Sequence, residues 1–242
     1  MPADSIRAYD LAERVASYDA DMDLLHPNRH KMVEVVLDIL AAAAPEPKLI
    51  LDLGTGTGFL LDRLLCRFPA CRAIGIDGAQ QMVGLARSRL SGVQDRVEFR
   101  IGDFRNLIRL MDAVHGLDAV ISSYALHHLD AAGKSTVYAA VRELLKPGGW
   151  FLNADLVIGE DKATEELAQR IRVQGIMRRA QGRDPRFTGE GATREFLAEL
   201  ERKDGDQPLT LAADFGLLKD AGFHDPKLFW KDMREVVFGA RC

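Results

Sequence analysis

Residues 49–58 read LILDLGTGTG, and the remaining chain organises around them. Leu49, Ile50, Leu51 and Leu53 form the short apolar run that a buried parallel strand needs. Gly54, Gly56 and Gly58 follow at alternate positions. Phe59–Phe68 then carries Leu60, Leu61, Leu64 and Leu65 at helical spacing. The unit is strand, glycine turn, helix. Glycines in such a turn admit positive φ and let a ligand press on the main chain with no Cβ between. Asp52 puts a carboxylate at the strand's carboxyl end, where open α/β sheets bind their ligands. The spacing is G-x-G-x-G, not the G-x-G-x-x-G of a dinucleotide site. An acid two residues upstream would repel a pyrophosphate and suits a cationic ligand. A tight turn with no ligand and a nicotinamide site are the competing readings.

Downstream, Arg72–Asp77 (RAIGID) reads as a second strand ending in an acid, with Met82, Leu85, Ala86 and Leu90 marking its helix. Val97–Gly102 is a third strand beside Asp103, and Leu117–Ser123 a fourth. Asp130 suits the cap of a helix bearing Val137, Val141, Leu144 and Leu145. Lys146–Gly149 (KPGG) is turn chemistry before a fifth strand, Trp150–Leu156. Upstream, residues 1–26 are mixed. Pro27 fits a first helical position, Val33, Val36, Leu37 and Leu40 mark a buried face, and the Ala41–Ala44 run ends at Pro45 and Pro47. Residues 157–209 break the rhythm with two charged helical patterns, about 161–181 and 190–203, expected as a cap over the strand ends. Leu211–Ala221 resumes a helix closed by Gly222. Leu228–Lys231 and Glu235–Ala240 suggest a terminal hairpin. The expectation is an α/β fold with a doubly wound, mostly parallel seven-stranded sheet, a C-terminal hairpin and a helical cap insertion.

With 242 residues and 47% apolar content the chain suits one such domain. A net charge of -4 gives no general reason to expect nucleic-acid binding. The first residues lack an apolar signal region and no run approaches a membrane span, so a cytoplasmic protein without membrane contact is expected. Cys66, Cys71 and Cys242 lack zinc or disulfide spacing. Arg170, Arg172, Arg178, Arg179, Arg183 and Arg186 invite a nucleic-acid or acidic-substrate reading. Acids precede them and no aromatics interleave, so a solvated helix face accounts for them better.

Asp52, Asp77 and Asp103 each finish a strand, and in a doubly wound sheet those ends lie side by side. Each could simply cap its next helix. However, DLGTGTG, IGIDGAQQM, IGDF, SSYALHHLD and LLKPGGWF, in this order and spacing, resemble the successive motifs of class I S-adenosylmethionine-dependent methyltransferases. The resemblance covers about residues 30–157 closely and the terminal hairpin loosely. It implies one methyltransferase domain over 1–242, with residues 1–44 and 157–209 forming a substrate cap. It also implies that Asp52, Gly54, Thr55, Gly56 and Gly58 surround the methionine part of S-adenosylmethionine. Asp77 would take the ribose hydroxyls, with Gly78 and Met82 beside the adenine. Asp103 would accept from the adenine amino group, with Gly102 and Phe104 nearby. Ser122 and Ser123 would approach the sulfonium.

Tyr124, His127 and His128 follow the fourth strand, where this family often faces its acceptor, and are the catalytic candidates. An unperturbed histidine could take a proton near neutral pH. Either could equally pack under the following helix. Tyr18, His26 and His30 are candidates for the acceptor side. Metal-binding members carry acids where Tyr124, His127 and His128 stand here, so no metal is assigned. The expected reaction is methyl transfer to a small molecule by in-line displacement, with a homodimer left open. The alternatives are an RNA or protein methyltransferase, which would need a recognition domain or basic surface, and a non-catalytic cofactor-binding partner.

Overall fold

The computed structural model describes residues 3–43, 45–112 and 114–242. Met1, Pro2 and Ala44, at the two ends of the expected N-terminal region, lie outside the described residues. Five strands pair in parallel: β1 (Leu49–Leu53), β2 (Arg72–Asp77), β3 (Val97–Ile101), β4 (Leu117–Ser123) and β5 (Leu145–Leu156). A terminal hairpin of β6 (His224–Asp232) and β7 (Glu235–Arg241) joins antiparallel through β7. The seven-stranded order is β3-β2-β1-β4-β5-β7-β6. The strand order reverses beside β1, the switch point where such sheets open a crevice.

Two apolar layers close the faces of the sheet. On one lie α3 (Arg29–Ala41), α4 (Phe59–Arg67) and α5 (Gln80–Arg89), with Val36, Leu40, Leu61, Leu64 and Leu90 against Ile50, Ala73 and Ile121. On the other lie α6 (Leu107–Met111), α7 (Ala131–Leu144) and α10 (Leu211–Asp220), with Val137, Val141, Leu144 and Leu218 against Leu51, Ile74 and Phe151. Strands buried on both faces need continuous apolar runs, which is how β1 and β4 read. Two further helices, α1 (Ala3–Tyr9) and α2 (Ala12–Leu25), precede α3. Another two, α8 (Lys162–Ala180) and α9 (Glu190–Asp204), fill the insertion. The insertion has its own small core, Val173, Ile176, Ala180, Phe187 and Leu197, into which Leu25 of α2 packs.

Four sequence expectations need correction. Within residues 1–26, read as mixed, Ala3–Tyr9 and Ala12–Leu25 form two helices. Pro27 sits in the link before α3, whose N-cap is Asn28, so it is not a first helical residue. Leu85 is 39% exposed, because Met82, Val83 and Ala86 take the buried face of α5. Lys146–Gly149 is not a free turn but a bulged start to β5. There Leu117 pairs with Leu145 while Ala119 pairs with Trp150, and Gly148, at φ +78°, donates its N–H to the Cys242 carbonyl at 2.9 Å.

Between α7 and α10 lies a buried triad: Lys134 Nζ donates to both Asp214 oxygens at 2.9 and 3.0 Å, and the Tyr138 hydroxyl donates to Asp214 at 2.7 Å. Removing one partner strands a buried charge. Lys134→Met should therefore destabilise the protein by about 3–5 kcal/mol in urea unfolding. Lys134→Met with Asp214→Leu should recover much of that loss, because neither charge then remains.

Candidate functional site

The glycine turn is held by the end of β2. Gly54 and Thr55 both donate backbone N–H groups to the Ile76 carbonyl, at 2.8 and 3.0 Å, and Gly56 N–H donates to Asp77 at 2.8 Å. Asp77 also receives the Ala79 N–H at 2.8 Å and so sets the start of α5. The three glycines have different reasons to be glycine. All have positive φ. A Cβ on Gly54 would meet Ala125 Cβ at 2.2 Å, and one on Gly58 would meet Ala86 at 3.0 Å. At Gly56 the nearest atom would be 3.9 Å away, so that glycine faces open space.

Asp52 lies between Gly75 of β2 and Ile121 of β4 in register. It is 1% exposed, and neither carboxylate oxygen has a hydrogen-bond partner; the Thr55 hydroxyl has none either. Burial pushes the Asp52 carboxyl up to about 7, with the nearby Thr55 hydroxyl opposing and the Asp77 charge adding. Asp77 is also raised, first by burial, against the pull of its backbone donors. A buried carboxylate without a partner is costly, and a cationic ligand group is what would satisfy it.

Two small cavities flank the turn. One is bounded by Asp52, Thr55, Gly56 and Ser123, the other by Gly56, Asp77, Met82 and His128; Gly54, Tyr18 and Tyr124 border both. Tyr18 and Tyr124 also wall a third, larger cavity with His26, His127, Arg172 and Asp206. The two tyrosines thus stand between the turn and the outer cavity.

α1 and α2 roof this region. Ile6 covers Gly78, and the Gln81 N–H donates to Asp10 at 2.7 Å. Asp19 on α2 accepts from the Thr57 hydroxyl at 3.0 Å and from Arg29 at 2.9 Å, and is paired with Arg89. Asp204 of α9 accepts from Tyr9 at 3.0 Å and from Arg14 at 2.6 Å.

Several sequence candidates lie away from the two cavities at the turn. Ser122 is committed to the Leu53 carbonyl at 2.9 Å. Gly102 packs under Leu110, and Phe104 lies in the core against Gly54. Asp103 caps a short 3₁₀ turn through the Arg105 N–H and grips the Arg105 side chain at 2.9 Å. Gly58 is occupied by α5, and Gly78 by Ile6. His30 is half exposed beside Asp23 and Phe59, on a different surface from the outer cavity.

The catalytic candidates separate. The Tyr124 hydroxyl donates to Glu235 at 2.5 Å, with His26 Nδ1 3.5 Å from the same oxygen. Burial and then the Glu235 charge raise this phenol well above its ordinary range. Tyr18 is raised to about 12, chiefly by burial. His127 Nδ1 donates to Asp155 at 2.5 Å, and its Nε2 is 3.6 Å from Asp206. Burial lowers the His127 pKa, but the charges of Asp155 and Asp206 outweigh it, so the net shift is upward. His128, beside the turn, is shifted down by burial and then by His127.

Asp155, Asp206 and Glu235 went unread in the sequence. Asp155 had a signal, an acid near the end of a fifth strand. The other two come from the insertion and the hairpin, with no local pattern. The arginine reading is half right. Arg170, Arg178 and Arg183 are exposed, whereas Arg172 pairs with Glu201, Arg179 donates to the Leu24 carbonyl and Arg186 pairs with Asp21. Helical periodicity carries no record of the helix packed alongside.

The family described as methyltransferase domain matches residues 50–149. A malonyl-[acyl-carrier protein] O-methyltransferase of Halalkalibacterium halodurans is 28% identical over 135 residues, 56% of this chain and 49% of that protein. An uncharacterized methyltransferase of Geobacillus kaustophilus is 29% identical over 81% of this chain and 87% of its own. Residues 50–149 align with a methyltransferase domain, and that segment holds the glycine turn and the histidine turn. The chain thus spans about half the length of the first of these relatives. The fold agrees with a solved O-methyltransferase family protein from Burkholderia thailandensis: TM-score 0.69, 17% identity, 97% of this chain and 61% of that one.

The residues at the turn fit the chemistry of S-adenosylmethionine, the cofactor that the sequence resemblance implies. The unpartnered Asp52 carboxylate suits an ammonium or sulfonium charge, and the open side of Gly56 leaves the main chain bare for close approach.

The Asp52 pKa gives a stability test on the ligand-free protein. Below about pH 4 this carboxyl is neutral in both the folded and the unfolded chain. Between about 4 and 7 only the unfolded chain releases the proton, so folding loses stability as pH rises, and the loss is complete above about 7. Asp52→Asn should therefore be equal to wild type near pH 4. It should be more stable by up to about 4 kcal/mol at pH 8, read from denaturation at both pH values. A difference independent of pH would contradict the account.

Proposed function

We propose that the chain transfers a methyl group from S-adenosylmethionine to a small-molecule acceptor held in the outer cavity. The observation that carries this reading is the shared wall. Tyr18 and Tyr124 border both the acid-lined glycine turn and the larger cavity, so a donor at one and an acceptor in the other would meet there. Asp52, Thr55 and Gly56 would hold the methionine part. Asp77 would reach the ribose, with Met82 beside the adenine. Ile6 covers Gly78, so α1 is the element that would shift to admit the adenine.

When bound, the sulfonium supplies an activated methyl group, so positioning and exclusion of water are what the protein must add. Residues from α2, α8 and α9 line the outer cavity, which supports the cap reading of 1–44 and 157–209. Tyr124 is engaged by Glu235 and would act as a wall. His127, held by Asp155 and facing the outer cavity, is the polar group best placed for the acceptor. Two relatives named malonyl-[acyl-carrier protein] O-methyltransferases favour an oxygen on a small acyl group as the methylated atom. An open outer cavity argues against a non-catalytic partner, whose acceptor space would be filled.

Titration calorimetry separates the readings. S-adenosylhomocysteine should bind and NAD should not, and Asp52→Ala should abolish the heat. His127→Ala should keep S-adenosylhomocysteine affinity and lose kcat at saturating acceptor, by roughly 10²–10⁴-fold if it assists the proton. Unchanged kcat would remove His127 from the mechanism.

A further inference from the structure

We infer that His127, His128 and Asp206 form a binding site for one divalent transition-metal ion, at the floor of the outer cavity. Asp206 Oδ1 lies 2.9 Å from His128 Nδ1 and 3.6 Å from His127 Nε2, and one ligand atom from each residue falls within 4.8 Å of the others. Around an ion with bonds of about 2.0–2.2 Å, neighbouring ligand atoms sit about 3.4 Å apart, so this cage is close to the size required.

The hydrogen bonding points the same way. Asp155 accepts from His127 Nδ1, which leaves Nε2, 3.6 Å from Asp206, as the ring's ligand atom. This is the carboxylate–histidine arrangement that orients metal ligands. His128 is 2% exposed, yet its Nδ1 has no aligned partner, and neither has Asp206 Oδ1, although the two atoms are only 2.9 Å apart. A carboxylate oxygen and an imidazole nitrogen at that distance need either a ring proton, which the poor alignment serves badly, or a metal ion between them.

The ligands are also firmly placed. Asp155 further accepts from the His127 and Leu156 N–H groups at 3.0 and 2.9 Å. The loop carrying Asp206 is clasped to the histidine turn, where the Gln207 N–H donates to the His127 carbonyl at 2.7 Å.

Two imidazoles and one carboxylate select zinc, manganese, iron or cobalt over magnesium or calcium, and three protein ligands leave positions open. Those positions face the cavity that His127 and Asp206 line, where they would fix an anionic oxygen of the acceptor. The orienting role rests on the proposed methyl transfer; ion binding does not. The sequence expectation of no metal weighed cysteine spacing and carboxylates near residues 124–128, and the carboxylate here arrives from residue 206.

The test is Co2+ titration of the full chain after chelator treatment and dialysis. The visible spectrum should develop the intense bands of a four- or five-coordinate site and saturate at one ion per chain. Zn2+ should displace the signal and raise Tm. Asp206→Asn should lose the spectrum, and Asp155→Asn should weaken binding by roughly 10–100-fold. S-adenosylhomocysteine titration of the same metal-free sample reports the cofactor site separately, so loss of one reading is not mistaken for loss of the other. An octahedral aquo-type spectrum in wild type would overturn the proposal without any variant. So would equal uptake by folded Asp206→Asn, or a histidine pair that holds only a proton in NMR and takes up no ion.

Discussion

The Ile76 carbonyl is the hinge point of the molecule. It accepts the N–H groups of both Gly54 and Thr55, and the adjoining Asp77 takes that of Gly56. Through these three bonds the end of β2 dictates the path of the turn after β1. Gly54 is then pressed against Ala125 and Gly58 against Ala86, which couples the turn to the segment after β4 and to α5. Against these satisfied backbone groups the Asp52 side chain stands as an exception: buried, central in the sheet and without a hydrogen-bond partner.

That exception separates a binding turn from a structural one. A carboxylate used to cap a helix, as Asp130 caps α7 through the Gly133 N–H, has an oxygen engaged by the chain. Asp52 has nothing of the kind. Its desolvation is a standing cost that a positively charged ligand would relieve, and the bare edge of Gly56 is where such a ligand can come close. The histidine turn after β4 repeats the logic from the other side, with Asp155 and Asp206 converging on His127.

Much of this was legible in the chain itself. Apolar runs ending in Asp52 and Asp77 mark strands buried on both faces, and the glycine spacing marks the turn between them. What escaped notice is non-local. Periodicity alone could not show that Ser122 spends its hydroxyl on Leu53 or that Arg172 meets Glu201 across two helices. Nor does any local pattern place Asp206 beside His127, because that neighbourhood exists only once the insertion folds back on the strand ends. The KPGG segment misled for a related reason: glycine and proline announce irregular backbone, and a bulged strand satisfies that requirement as well as a turn does.

The roof over the site carries a consequence for how the site opens. α1 and α2 cover the turn, and Asp204 of the insertion fastens Tyr9 and Arg14 at their junction. Opening that roof would first break bonds to Asp204, a residue that also lines the outer cavity, so the inner and outer compartments share one closing contact.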